Sequence, residues 1–130
     1  MKTPAFAPML SIGTNVTDVS FYEKAFGAVE IRRFSNDDGT VHVSELTIGD
    51  AMFHLHEDAY DGRHYSPRKH NGTTVTIGLF VDDVQAVFNR AVSAGAEIIS
   101  PVKDYEYEMR QGDIRDPFGH LWTIQKDLRE

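Results

Sequence analysis

Phe21-Tyr22-Glu23-Lys24-Ala25-Phe26-Gly27-Ala28 is the stretch on which the fold reading turns, because it returns in degenerate form later in the chain. Tyr22-Glu23-Lys24-Ala25 matches Phe88-Asn89-Arg90-Ala91 in residue character, and Gly27-Ala28 matches Gly95-Ala96 after a two-residue insertion. Each copy is an amphipathic helix stopped by a glycine, which suits the left-handed backbone of a helix C-cap. A repeated unit of this size implies two related halves.

Working outward, the same order of elements surrounds both copies. In the first half, Met9 to Thr14 reads as a strand and Asn15 to Asp18 supplies helix-starting residues. Val19, Tyr22 and Phe26 share a helical face, and Ala28 to Phe34 is a second strand. The turn Asn36-Asp37-Asp38-Gly39, the alternating run Val41 to Ile48, the turn Gly49-Asp50 and the strand Ala51 to His56 follow. In the second half, Thr73 to Val81 is a strand. Asp82-Asp83 caps a helix reaching about Ala94, with Val84, Val87, Phe88 and Ala91 on one face. Glu97 to Pro101 opens a strand, a polar strand or loop runs to Gln111, and Asp113 to Arg115 leads through the turn Asp116-Pro117-Phe118-Gly119 into the strand Leu121 to Gln125. Residues 58–72, with Asp61-Gly62, Pro67 and Asn71-Gly72 and no period, read as a linker loop. The expected fold is therefore α+β: one domain of two βαβββ modules, 8–57 and 73–127, in which strands are packed against helices on one face.

Composition bounds the function. The 130 residues suit one domain. Eight Phe and five Tyr supply apolar area that a disordered chain lacks. The formal charge of −7 disfavours a phosphate backbone as partner, so no nucleic acid is expected; it mildly favours cationic small molecules and otherwise serves solubility. There is no cysteine, which removes disulfides and thiolate chemistry. No stretch has the apolar length of a membrane span, and a cytoplasmic location is the default expectation.

Strand alternation separates two faces. Leu10, Ile12, Phe53, Leu55, Ile77, Leu79, Val81, Trp122 and Ile124 form an apolar set that should pack under the helices. The opposite set is mixed: Met9 and Ser11; Met52, His54 and His56; Thr74, Thr76, Gly78 and Phe80; Leu121, Thr123 and Gln125. Half-apolar walls with a few polar groups suit a small-molecule pocket. The wet side of an open sheet, or a dimer contact, are the other readings.

Phe21 to Ala28, Ala91-Val92-Ser93-Ala94-Gly95-Ala96 and Asp116-Pro117-Phe118-Gly119-His120-Leu121-Trp122 together resemble the glyoxalase, bleomycin-resistance and extradiol-dioxygenase superfamily, also called vicinal oxygen chelate. The likeness spans Pro8 to Lys126 and is nearest the bacterial glyoxalase-like subgroup. It implies paired βαβββ modules curved into a U-shaped trough, often completed by a homodimer. In metal-dependent members, ligands come from the first and last strands of each module. By position these fall near Ala7 and on His54, Thr76 and Thr123, of which only His54 is a good donor. A divalent site needs several N or O donors converging on one point, so the usual metal centre looks lost.

The candidate ligand-binding residues are Ser11, Met52, His54, His56, Thr76, Phe80, Tyr105, Tyr107 and Thr123, with no catalytic residue assigned. Tyr105 and Tyr107 alternate with acids; on a strand their rings would share one side, either for stacking on a ligand or as part of a charged edge. Arg110 and Arg115 serve either an anionic ligand group or nearby carboxylates. His64 and His70 read as solvent-exposed, His120 as a support of its hairpin, and Trp122 as core. No resident cofactor is expected; the alternative is a metal held by His54, His56 and Glu45. The leading reading is a small-molecule-binding protein taking a drug-like or hydrophobic metabolite. A metal-dependent lyase, isomerase or oxygenase, and a partner-binding dimer without small ligand, are the alternatives.

Overall fold

In the computed structural model, which describes residues 2–58, 63 and 65–130, the order is β1 (Met9–Ser11), α1 (Phe21–Phe26), β2 (Val29–Ser35), β3 (Val41–Ile48), β4 (Ala51–His56), α2 (Pro67–His70), β5 (Thr76–Phe80), α3 (Val84–Ser93), β6 (Glu97–Asp104), β7 (Met109–Arg115) and β8 (Leu121–Asp127). These strands make two open four-stranded sheets, ordered β1-β4-β3-β2 and β5-β8-β7-β6. In each, the first and last strands of the half pair in parallel and the other neighbours pair antiparallel. A parallel pair requires a crossover, and here the helix and two strands supply it. The duplicated order read from the sequence is thus duplicated topology.

The two sheets share one core. Tyr22 of α1 packs edge-on to Phe53 of β4 at 5.2 Å between ring centroids, and Phe26 lies 4.8 Å from Trp122 of β8. Such ring pairs contribute about 0.5–1.5 kcal/mol each beyond their buried area. Helices α1 and α3 pack together over this core, burying Val19, Tyr22, Ala25, Val84, Phe88 and Ala91. At its centre the Asp116 carboxylate, almost fully buried, accepts from the Tyr22 hydroxyl at 2.7 Å, Trp122 Nε1 at 2.9 Å, and the backbone N–H groups of Phe118 and His120. One side chain of the second half therefore satisfies the buried donor of α1 in the first. Burial, and then the neighbouring carboxylate, hold the Tyr22 phenol well above its ordinary pKa.

Local differences from the sequence reading have local causes. β1 ends at Ser11 because Gly13 and Asn15 take positive φ, and the turn is pinned by Asp58, which accepts from the Gly13 N–H at 3.2 Å. The segment read as a loop contains the short helix α2, started by Pro67 and stopped by left-handed Asn71. Arg68 of α2 donates twice to the Pro117 carbonyl, at 2.9 and 2.7 Å, and so ties this segment to the β7–β8 turn. Asp61-Gly62 and His64 lie outside the described residues. Tyr105 and Tyr107 are not on a strand: Glu108, with φ 63°, closes a turn between β6 and β7 that carries both rings. Among the described residues, no helix is long and apolar enough to cross a membrane.

Candidate functional site

Burial divides the faces as the alternation predicts. Leu10, Ile12, Phe53, Leu55, Trp122 and Ile124 are buried and Ile77, Leu79 and Val81 half-buried, whereas Met9 is 60% exposed, Phe80 66% and Met52 39%. The helices cover one side of each sheet, and the other side is open.

Strand register places the neighbours on that open side. On the first sheet His54 lies opposite Met9 on one flank and Glu45 on the other, and His56 opposite Ser11 and Val43. Arg32 of β2 sits opposite Glu45 and Phe34 opposite Val43. The Arg32 guanidinium holds the Glu45 carboxylate by two hydrogen bonds, at 3.2 and 3.3 Å, and lies 4.9 Å above the Phe34 ring. Those bonds keep the Glu45 pKa below the usual glutamate value. His54 Nε2 is 3.3 Å from the Met52 sulfur, and the two histidine rings are 6.0 Å apart. On the second sheet Thr123 donates its hydroxyl proton to Asp113 at 2.7 Å. Tyr107 donates to Gln111 Oε1 at 2.7 Å, and Gln111 Nε2 donates to Gln125 Oε1 at 2.8 Å. The Tyr105 and Tyr107 rings stack, centroids 5.1 Å apart, with the Lys103 ammonium 4.6 Å from the Tyr105 ring. Arg110 and Arg115 are engaged by Asp104 and Glu97, each at 2.7 Å, so their charges serve neighbouring carboxylates.

A groove of about 710 Å³ runs between β1 and β5, the strands that end their respective sheets. Its walls include Met9, Ser11, Tyr65, Thr76, Gly78 and His120. His120 is buried, and its Nε2 donates to the Ser11 carbonyl at 2.8 Å, which requires the proton on that nitrogen because a carbonyl only accepts. Its role is therefore wider than support of its own hairpin: it joins the β7–β8 turn to β1 across the two halves. Of the nine candidate residues, Ser11 and Thr76 line this groove. Met52, His54 and His56 lie beside it along β4, Thr123 and Phe80 belong to the second sheet, and Tyr105 and Tyr107 stand at the β6–β7 turn. Tyr65 and His70, in the segment read as a loop, also reach the groove, with their rings 5.2 Å apart edge to face. The alternation of β7 carries the signal that places Gln111 and Asp113 on the open face.

The donor set does not fit a divalent centre of the usual kind. Ala7 has no donor, Thr76 and Thr123 offer only hydroxyls, and the Thr123 hydroxyl is committed to Asp113. Glu45, the carboxylate of the alternative set, is held by Arg32. Among the described residues no three His, Asp or Glu side chains are grouped to share an ion.

The family model of the glyoxalase/bleomycin resistance protein/dioxygenase superfamily matches residues 17–124. The chain belongs to this superfamily. The uncharacterized protein Mb0911c of Mycobacterium bovis is 37% identical over 130 residues, covering 98% of this chain and 86% of that protein. The X-ray structure of the Arabidopsis thaliana At5g48480 product is 28% identical with a TM-score of 0.70, covering 95% of this chain and 98% of that one. The fosfomycin resistance protein FosX of Listeria monocytogenes shares the fold, with a TM-score of 0.69 at 17% identity, covering 97% and 94%. Membership of the superfamily accounts for the duplicated topology and does not by itself specify a chemistry.

Proposed function

We propose that the open face binds a small, partly apolar molecule, a drug-like compound or hydrophobic metabolite, without a resident metal, and that a second copy of the chain closes over it. The observation that carries this reading is the concentration of exposed large apolar side chains on one side of the sheets. Met9 lines the groove, and Phe34, Met52 and Phe80 are exposed on strands of the two sheets, among hydrogen-bonded polar side chains. Apolar surface of this kind, edged by polar groups, marks a contact site for a ligand or partner. FosX, a fosfomycin resistance protein of the same fold, lends the class of ligand by analogy. The net charge of −7 favours a neutral or cationic molecule over an anionic one. The metal-dependent enzyme reading has less support, because the His54, His56 and Glu45 set is interrupted by Arg32.

A thermal-shift screen of cationic and neutral antibiotics and apolar metabolites tests the proposal. A ligand at a hundred times its Kd stabilises by about 2.7 kcal/mol, a shift of several degrees for a domain of this size. Stabilisation by no compound, with a dimer seen in sedimentation, would instead favour the partner-binding dimer. Metal analysis of protein purified without chelator tests the other alternative: stoichiometric zinc, nickel, manganese or iron that disappears in His54→Ala would establish the metal-dependent reading.

A further inference from the structure

The polar groups of the second sheet's open face form a line that ends at the groove. Tyr107 donates to Gln111, and Gln111 donates to Gln125. A phenol is a strong donor and a weak acceptor, because its oxygen lone pair is delocalised into the ring, and this sets the sense of the line. Once Tyr107 donates to the Gln111 oxygen, the Gln111 nitrogen must face Gln125, and the Gln125 oxygen must face back. Its –NH2 group is left as the open end. Among the described residues nothing accepts a hydrogen bond from Gln125 Nε2.

That open end lies against Gly78, a wall residue of the groove. A Cβ built on Gly78 would stand 2.6 Å from Gln125 Nε2, closer than real contacts allow. The strand needs no unusual backbone here, so the glycine is not required by a turn; its missing side chain is the space in which the amide rests. Two features thus converge on one atom: a relay that orients it and a gap that seats it.

We propose that Gln125 is a specificity-determining donor of this face, an oriented amide N–H that receives a neutral carbonyl oxygen of the bound molecule. This rests on the reading of the open face as a ligand site. A carboxylate is disfavoured as the acceptor: Asp113 lies on the same face, opposite Thr123 and diagonal to Gln125 in the register, and the chain carries a net −7. A neutral carbonyl takes the hydrogen bond without that repulsion.

Two probes of matched shape separate the outcomes. Acetanilide carries an amide carbonyl, and N-ethylaniline has a methylene in its place. In nitrogen–proton correlation spectra, which show glutamine side-chain –NH2 groups directly, acetanilide should move the Gln125 side-chain signals together with the Gly78 and Thr76 amides. It should bind about fivefold more tightly than N-ethylaniline, the effect of one net hydrogen bond. Gln125→Leu should abolish that preference, and Tyr107→Phe, which frees the relay at its far end, should reduce it while leaving N-ethylaniline binding unchanged. If both probes shift Met9, Thr76 and Gly78 but the Gln125 side chain stays still, or if the preference survives Gln125→Leu, the donor assignment falls and the ligand face stands. If neither probe shifts any residue of the face, both fall.

Discussion

Gly112 and Gly78 stand on the two strands that flank β8, on opposite faces of the same sheet, and both lack room for a methyl group. At Gly112 an added Cβ would meet the Phe88 ring and a Val102 methyl, each at 2.7 Å; at Gly78 it would meet the Gln125 amide at 2.6 Å. The distances agree and the neighbours do not. Phe88 is a buried residue of α3 with no space to retreat, so Gly112 exists to let the helix pack. Gln125 Nε2 ends a long, half-buried side chain that can yield to a methyl group at the loss of its present orientation, so Gly78 shapes a surface. One face is specified by close packing and the other by polar orientation.

The strongest way to break the packed face is Asp116→Ala. It strands the Tyr22 hydroxyl and Trp122 Nε1 without an acceptor in the core, at about 1–3 kcal/mol per orphaned donor. A loss of about 2–5 kcal/mol is expected by urea denaturation; a loss below about 1 kcal/mol would mean that the carboxylate is not the link between the halves. Gly112→Ala should follow, at about 1–3 kcal/mol of overpacking. Its counterpart Gly78→Ala sharpens the contrast: stability should change by less than about 0.5 kcal/mol, as for a surface position, while the Gln125 side-chain signals move. Equal costs for the two alanines would erase the distinction between the faces.

The smallest effect belongs to the polar pair on the first sheet. The hydrogen bonds from Arg32 lower the pKa of Glu45 in the folded state, so the pair stabilises the fold at pH values above the unfolded glutamate pKa. That contribution is lost as the pH falls through the folded value. Wild type should therefore melt slightly above Glu45→Gln at pH 7, and the gap should close on acidification below the ordinary glutamate range. A gap that widens towards acid would contradict the pairing. Because Arg32 is largely exposed, solvent screens the pair and the difference stays small.

Much of this was legible before any coordinates. Alternation in the four strands that begin and end the halves sorted Leu55, Ile124 and Trp122 from Met9, Met52 and Phe80, because the two-residue period of a strand is a property of the backbone. The glycine after each helix was readable for the same local reason. Residues 58–72 were not: α2 has four residues and no period to detect, and Arg68 holds it in place through the carbonyl of Pro117, far along the chain. Tyr105 and Tyr107 alternate as a strand would, yet they belong to a turn, because the left-handed Glu108 reverses the chain there.

The amino-acid order alone determined the duplicated order of helix and strands, the superfamily resemblance and the faces of β1, β4, β5 and β8, since each is carried by short stretches of neighbouring residues. Tertiary structure alone decided which polar groups meet: Arg32 with Glu45, His120 with Ser11, Tyr107 through Gln111 to Gln125, and Tyr22 with Asp116. The reason is geometric. A hydrogen bond depends on a few tenths of an ångström and on direction, and in this fold both are set by strand register and by packing between segments as much as 109 residues apart.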